Sequence, residues 1–153
     1  MINQSATVKW EGGLRLGKGE ISTESGALKK VPYTFGGRFE HDPGTNPEEL
    51  IAAAHAACYS MFLAGELQKI NFVADSIKVE ARAKLENISN DWTITRIYLN
   101  VEAIVLGLNA ETFETLANRA KLNCPISRVL RADIILEARL IGLPSEVFEH
   151  GPV

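Results

Sequence analysis

Cysteine is scarce in this chain: Cys58 and Cys124 are the only two among 153 residues, and they lie 66 positions apart. In a reducing compartment a lone pair is seldom a permanent staple, which leaves inert core filling, metal ligation or redox chemistry. Basic charge is not in excess either. Lys and Arg number 16 against 19 Asp and Glu, a net charge of −3, the wrong sign for gripping a phosphate backbone. Lys29-Lys30 is the densest basic cluster, so no nucleic-acid partner is expected. The opening MINQSATVKW lacks an apolar leader core, and a cytoplasmic address is the expectation. Repeats and low-complexity stretches are missing as well. What remains is an ordinary globular composition, 46% apolar and 23% charged, at a length that suits a single domain over residues 1–153.

Glycine punctuates the first third, with short alternating pieces between: Ala6/Val8/Trp10, Leu14/Leu16 and Val31-Pro32-Tyr33. This predicts a small β-meander. Asn46-Pro47-Glu48-Glu49 then reads as a helix start, with an Asn cap, Pro in the first position and acidic residues in the first turn. From Leu50 to Ala64 only His55 and Ser60 are polar, so this helix is expected to be buried on all sides. Gly65-Glu66 is the predicted stop, which leaves it short of the roughly 20 apolar residues that a bilayer needs, and no membrane partner is expected. A chain of this size has trouble surrounding such a helix alone, and a partner subunit would help.

Ile77, Val79, Ala81, Ala83 and Leu85 alternate with charged residues, predicting a strand. A second strand runs from Trp92 to Gly107, its parity slipping between Ile94 and Ile97 as at a β-bulge. Phe113, Leu116, Ala117 and Ala120 have amphipathic helical spacing, and Ala132 to Leu140 form a last strand before a loose tail. The expected order is βββ-α-ββ-α-β, an α+β domain.

Both cysteines fit core positions, because free Cys is among the most buried residue types. Redox work would need their Cα atoms within about 7 Å, which spacing neither shows nor forbids. A reactive Cys58 also needs help, since it stands twelve residues beyond the Asn46 cap, where the helix dipole no longer acts. A nearby arginine would serve, and Arg15, Arg38 and Arg128 are candidates. His55 lies three residues before Cys58, so a zinc site of His55, Cys58 and Cys124 with His41 is an alternative. No close-spaced ligand pair supports it, and a hydrogen-bonded core histidine is the preferred reading. Trp10 and Trp92 fit strand packing. Met61 and Phe62 fit either core packing or the wall of an apolar entrance.

The segment from Gly44 to Met61, GTNPEELIAAAHAACYSM, resembles the motif of the OsmC/Ohr family, the osmotically inducible and organic-hydroperoxide-resistance proteins. Ala120 to Ser127, AKLNCPIS, resembles the family's second cysteine segment, and the likeness runs from Trp10-Glu11-Gly12-Gly13 to the last strand. The HAACYSM wording is similar to the osmotically inducible branch. The resemblance implies a thiol peroxidase acting on organic hydroperoxides, with hydrogen peroxide as a further candidate substrate and no metal, haem or flavin cofactor. It implies that Cys58 is the peroxidatic and Cys124 the resolving cysteine, with Arg38 as catalytic arginine and Glu48 as its acidic partner; the family's other branch would use an arginine near Arg15. It further implies a lipoyl-type or other dithiol reductant, an oxidative or osmotic stress role, and an intertwined homodimer with central helices packed on antiparallel sheets. Rivals from other classes are a non-enzymatic ligand-binding dimer and a metal-binding protein.

One geometric point stands apart from the resemblance. Glu48 and Cys58 are ten residues apart on one helix, about 15 Å along its axis. A short Glu–Arg–Cys relay inside one chain is therefore difficult, and two helices packed antiparallel in a dimer would shorten it.

Overall fold

The computed structural model describes residues 1–142, and the chain forms two compact units, Met1–Ile51 and the remainder from Ala52. The tail expected to be loose lies, from residue 143 on, outside the described residues.

In the first unit β1 (Ala6–Glu11), β2 (Lys18–Thr23) and β3 (Val31–Thr34) form an antiparallel sheet in that order. Pro32 is tolerated because β3 is an edge strand, where a missing N–H breaks no central ladder. Leu14 and Leu16, expected in a strand, belong instead to an exposed turn between β1 and β2. Gly12 opens that turn at φ +91°, a backbone setting that leucine alternation cannot reveal. A short helix that the glycines concealed, α1 (Phe35–Phe39), follows β3 directly. Thr34 caps it, its hydroxyl accepting from the Gly37 N–H at 2.9 Å. At Gly36 a Cβ would fall 1.9 Å from the Asp42 carboxylate, so any larger residue would have to displace that side chain.

The central helix, α2 (Pro47–Lys69), starts as read: Asn46 Oδ1 accepts from the Glu49 N–H at 2.8 Å and Pro47 takes the first position. It does not stop at Gly65-Glu66. Nothing crowds Gly65, and Glu66 is buried, taking Lys69 at 2.5 Å and Arg119 at 3.3 Å, so the helix runs on to Lys69. Its 23 residues are long and apolar enough by composition to cross a bilayer. One face is a protein-core face, however, with Tyr59, Leu63 and Leu67 fully buried. The expectation of burial on every side is met on that face alone, because Ala53, Ala54, Ala57, Met61 and Ala64 are exposed.

In the second unit β4 (Ser76–Ile88) and β5 (Asp91–Ile104) form a long hairpin. Its two-residue turn, Ser89-Asn90, has φ of 53° and 73°, the left-handed pair that suits strand twist. The bulge falls where parity slipped: Arg96 pairs with Lys84 and Ile94 with Leu85, leaving Thr95 extra. Thr95 donates its hydroxyl to Glu86 across the ladder. Then come α3 (Ala110–Asn123), a short α4 (Pro125–Val129) and β6 (Asp133–Leu140). β6 pairs with β5 in parallel, so this sheet is mixed where antiparallel sheets were expected. The reason is connectivity, since two helices intervene and the crossover returns the chain in the same direction. The observed order is βββ-αα-ββ-αα-β, the expected α+β plan with two short helices added. Ile97, Leu99, Val101 and Ala103 of β5 join Phe113, Leu116, Ala117 and Ala120 of α3 in the core. Each large apolar side chain there contributes about 1.5–3 kcal/mol by burial.

Candidate functional site

Cys58 lies on α2 beside Tyr59 and is half-buried; Cys124 is fully buried, and both are free thiols. Cys124 closes α3, its N–H bonding the Ala120 carbonyl at 2.9 Å, and also opens α4, with Pro125 next in line. That double role puts the residue at a sharp junction, whose far side is the short α4. The structure places Cys124 and the backbone N–H of Ile126, at the start of α4, near enough to the Cys58 thiol to shift its ionisation.

Burial pushes the Cys58 thiol above its ordinary value, and the neighbouring Cys124 pushes it further. The Ile126 N–H pulls the other way and does not prevail. None of these three influences is a cation. Arg128, one of the candidate cations, is exposed on α4.

The first unit holds a cation of its own in a fixed setting. Arg38, in the last turn of α1, grips Glu48, in the first turn of α2. Nε donates to Oε1 at 3.0 Å and to Oε2 at 3.2 Å, and Nη2 donates to Oε1 at 2.6 Å. Such a forked pair fixes the plane of the guanidinium as well as its position. The guanidinium also lies 5.2 Å from the centroid of Phe39. Arg15 is used differently, stacked 5.0 Å from the centroid of Phe35. A cavity of about 190 Å³ opens beside Arg38, walled by Trp10, Leu14, Tyr33, Phe35 and Phe39. Trp10 of β1 packs on Tyr33 of β3 across Gly19 of the strand between them, with ring centroids 5.4 Å apart, and it also faces this cavity.

His55 is fully buried, with Nε2 2.7 Å from Ser127 Oγ and Nδ1 without a partner among the described residues. Burial pulls its pKa below the ordinary value and keeps the ring neutral. Among the described residues no group of three or more His, Cys, Asp or Glu side chains could hold a metal, and His41 belongs to the other unit. Met61 is exposed, beside a groove with Ala64 and Phe72. Sequence reasoning missed Ser127 and the Ile126 N–H. Both come from α4, whose five residues are too few to show any periodicity.

Comparison with known proteins returns one family. The OsmC-like protein family matches residues 40–139. Peroxiredoxin OsmC of Escherichia coli K12 is 45% identical over 139 residues, covering 91% of this chain and 97% of that protein. Among solved structures, an OsmC-like protein of unknown function from Vibrio cholerae superposes with a TM-score of 0.72 at 18% identity, over 91% of this chain and all of that one. The organic hydroperoxide resistance protein OhrB of Bacillus subtilis gives a TM-score of 0.65 at 25% identity, over 90% and 98%.

Proposed function

Because the chain belongs to the OsmC-like family, we propose that it is a thiol peroxidase that reduces organic hydroperoxides through Cys58 and Cys124. One observation carries the reading: two free thiols from distant parts of the sequence are near enough for Cys124 to shift the Cys58 thiol, at the junction where Cys124 ends one helix and begins the next.

Cys58 is the attacking sulfur, and Cys124 the resolving one. Arg38, held by Glu48, is the cation that Cys58 needs; it favours the thiolate and polarises the peroxide. The thiolate attacks one peroxide oxygen, the O–O bond breaks, and the other oxygen leaves as the alcohol after taking up a proton. The resulting Cys58 sulfenic acid is attacked by the Cys124 sulfur, forming the disulfide and releasing water. An external dithiol, lipoyl-type or another, then restores both thiols by exchange and is itself oxidised. No step calls for a metal or an organic cofactor.

The two units work as one peroxidase domain, in a homodimer. The exposed apolar face of α2, from Ala53 to Ala64, supports this by giving a second copy a surface to cover. We place the protein in the cytoplasm, where a reducing poise returns the thiols.

Thiol titration tests the chemistry. One equivalent of cumene hydroperoxide is expected to take two free thiols per chain to none, with an intrachain Cys58–Cys124 bond found by mass spectrometry. Cys124→Ser is expected to stop at a Cys58 sulfenic acid, which further peroxide carries to sulfinic acid. A Cys58 thiol that survives excess peroxide in folded protein would end the peroxidase reading.

A further inference from the structure

The mechanism leaves one buried polar pair unused. His55 stands three residues before Cys58 on α2, and Ser127 three residues after Cys124 on α4. Their side chains meet at 2.7 Å, so this one bond joins the two cysteine-bearing segments a helical turn from either sulfur. On the other flank Tyr59 donates its hydroxyl to the Ala117 carbonyl at 3.1 Å, tying α2 to α3. The thiols therefore sit inside a frame with two cross-braces.

The braces are not equivalent. α3 has four buried anchors of its own, Phe113, Leu116, Ala117 and Ala120, and hardly needs the tyrosine to stay in place. α4 is five residues long and buries none of them. Its internal bonds, Arg128 N–H to the Cys124 carbonyl at 3.0 Å and Leu130 N–H to the Ile126 carbonyl at 3.2 Å, hold its shape, and toward α2 its backbone offers the Ile126 N–H to the Cys58 thiol. Ser127 is its side-chain tie to the rest of the unit among the described residues. The histidine has little other reason to be there, since a leucine would fill the same buried space without leaving a polar atom unpaired. The tautomer with its proton on Nε2 donates to the Ser127 hydroxyl and leaves Nδ1 as a bare acceptor, whereas the other tautomer would bury an unpaired N–H.

We propose that His55 and Ser127 form a positioning pair for the resolving step, holding α4 on α2 so that Cys124 reaches the Cys58 sulfenic acid before a second peroxide does. The inference rests on the peroxidase reading. In that step the Cys124 sulfur bonds the Cys58 sulfur, the S–O bond breaks, and the oxygen leaves as water with the thiol's proton. Neither His55 nor Ser127 touches the reacting atoms in this account. They set how often the second sulfur is in place, and an ångström of misplacement costs on the order of 10²-fold in a positioned reaction.

The test separates the two chemical steps in the full-length protein. Reduced enzyme is mixed rapidly with cumene hydroperoxide and quenched with dimedone, and mass spectrometry counts sulfenic acid, disulfide and sulfinic acid on Cys58. In Ser127→Ala and His55→Leu the sulfenic acid is expected to persist about tenfold longer, and sulfinic acid to appear at correspondingly lower peroxide, from loss of one positioned hydrogen bond. Formation of the sulfenic acid should change far less. Ser127→Thr keeps the hydroxyl and His55→Gln keeps a donor at the Nε2 position, so both should restore the fast second step. The double variant, His55→Leu combined with Ser127→Ala, should be no slower than the worse single one. Disulfide formation as fast in Ser127→Ala as in wild type would overturn the inference, as would equal slowing of both steps with no rescue by Thr or Gln. A wild-type Cys58 that never becomes a sulfenic acid would sink the peroxidase reading instead, and the inference with it.

Discussion

Arg38→Ala is expected to slow peroxide consumption about 10²–10³-fold at neutral pH, whereas Arg15→Ala stays within a few fold of wild type. The larger figure is what removal of one preorganised charged donor costs a developing anion, and here the same group also sets the nucleophile's charge. Burial and the Cys124 thiol hold Cys58 above the ordinary thiol value, with the Ile126 N–H insufficient to reverse them. Without the guanidinium the thiolate fraction falls, so the pH–rate profile of Arg38→Ala should move to higher pH and part of the loss should return in alkaline buffer. Arg15 stacks on Phe35, whereas Arg38 is held by a forked pair with Glu48. Stopped-flow consumption of cumene hydroperoxide across pH, with all three proteins, measures both quantities. The reverse ranking would move the catalytic arginine to position 15.

Mixed dimers provide the second large effect. Cys58→Ser and Glu48→Ala are each expected to be nearly inactive alone, yet about half of wild-type activity per dimer should return when one subunit of each is combined. The ground is distance: Glu48 and Cys58 are separated by about 15 Å of helix rise, too far for one short relay along a single α2. If Glu48 of one chain serves Cys58 of the other, a mixed dimer contains one complete site and one doubly broken site. If Glu48 serves its own chain, both sites are broken and activity remains at the level of the parents. Differently tagged variants, co-expressed and purified in tandem, give the required species. A mixed dimer without recovery, or a protein that is monomeric at working concentration, would remove the shared site and leave the thiol chemistry standing.

Features carried by local chemistry were legible in the amino-acid sequence. The Asn46-Pro47 start of α2, the parity slip around Thr95 and the amphipathic stripe of α3 each depend on neighbours within a few residues, and each appears where it was expected. Features set by distant partners were not. Gly65 reads as a helix stop, but Glu66 continues the helix because Arg119, 53 residues away, helps to neutralise its carboxylate. The direction of β6 depends on a crossover rather than on its own alternation. The site divides in the same way. The cysteines, Arg38 and Glu48 stood out by motif, whereas the His55–Ser127 bond spans 72 residues and neither partner announces the other.

The long β4–β5 hairpin and all of α3 lie between Cys58 and Cys124. A bond between the two sulfurs thus closes a loop across 66 positions, which holds most of the second unit. In chain-entropy terms such a closure disfavours the unfolded chain by about 4 kcal/mol. Folding and oxidation are then linked: whatever the bond adds to the fold, the fold adds to the bond, and the external dithiol works against that sum at each turnover. With the proposed bond closed, the chain resists unfolding more than with two free thiols, so urea melts of the oxidised and reduced protein should differ in midpoint.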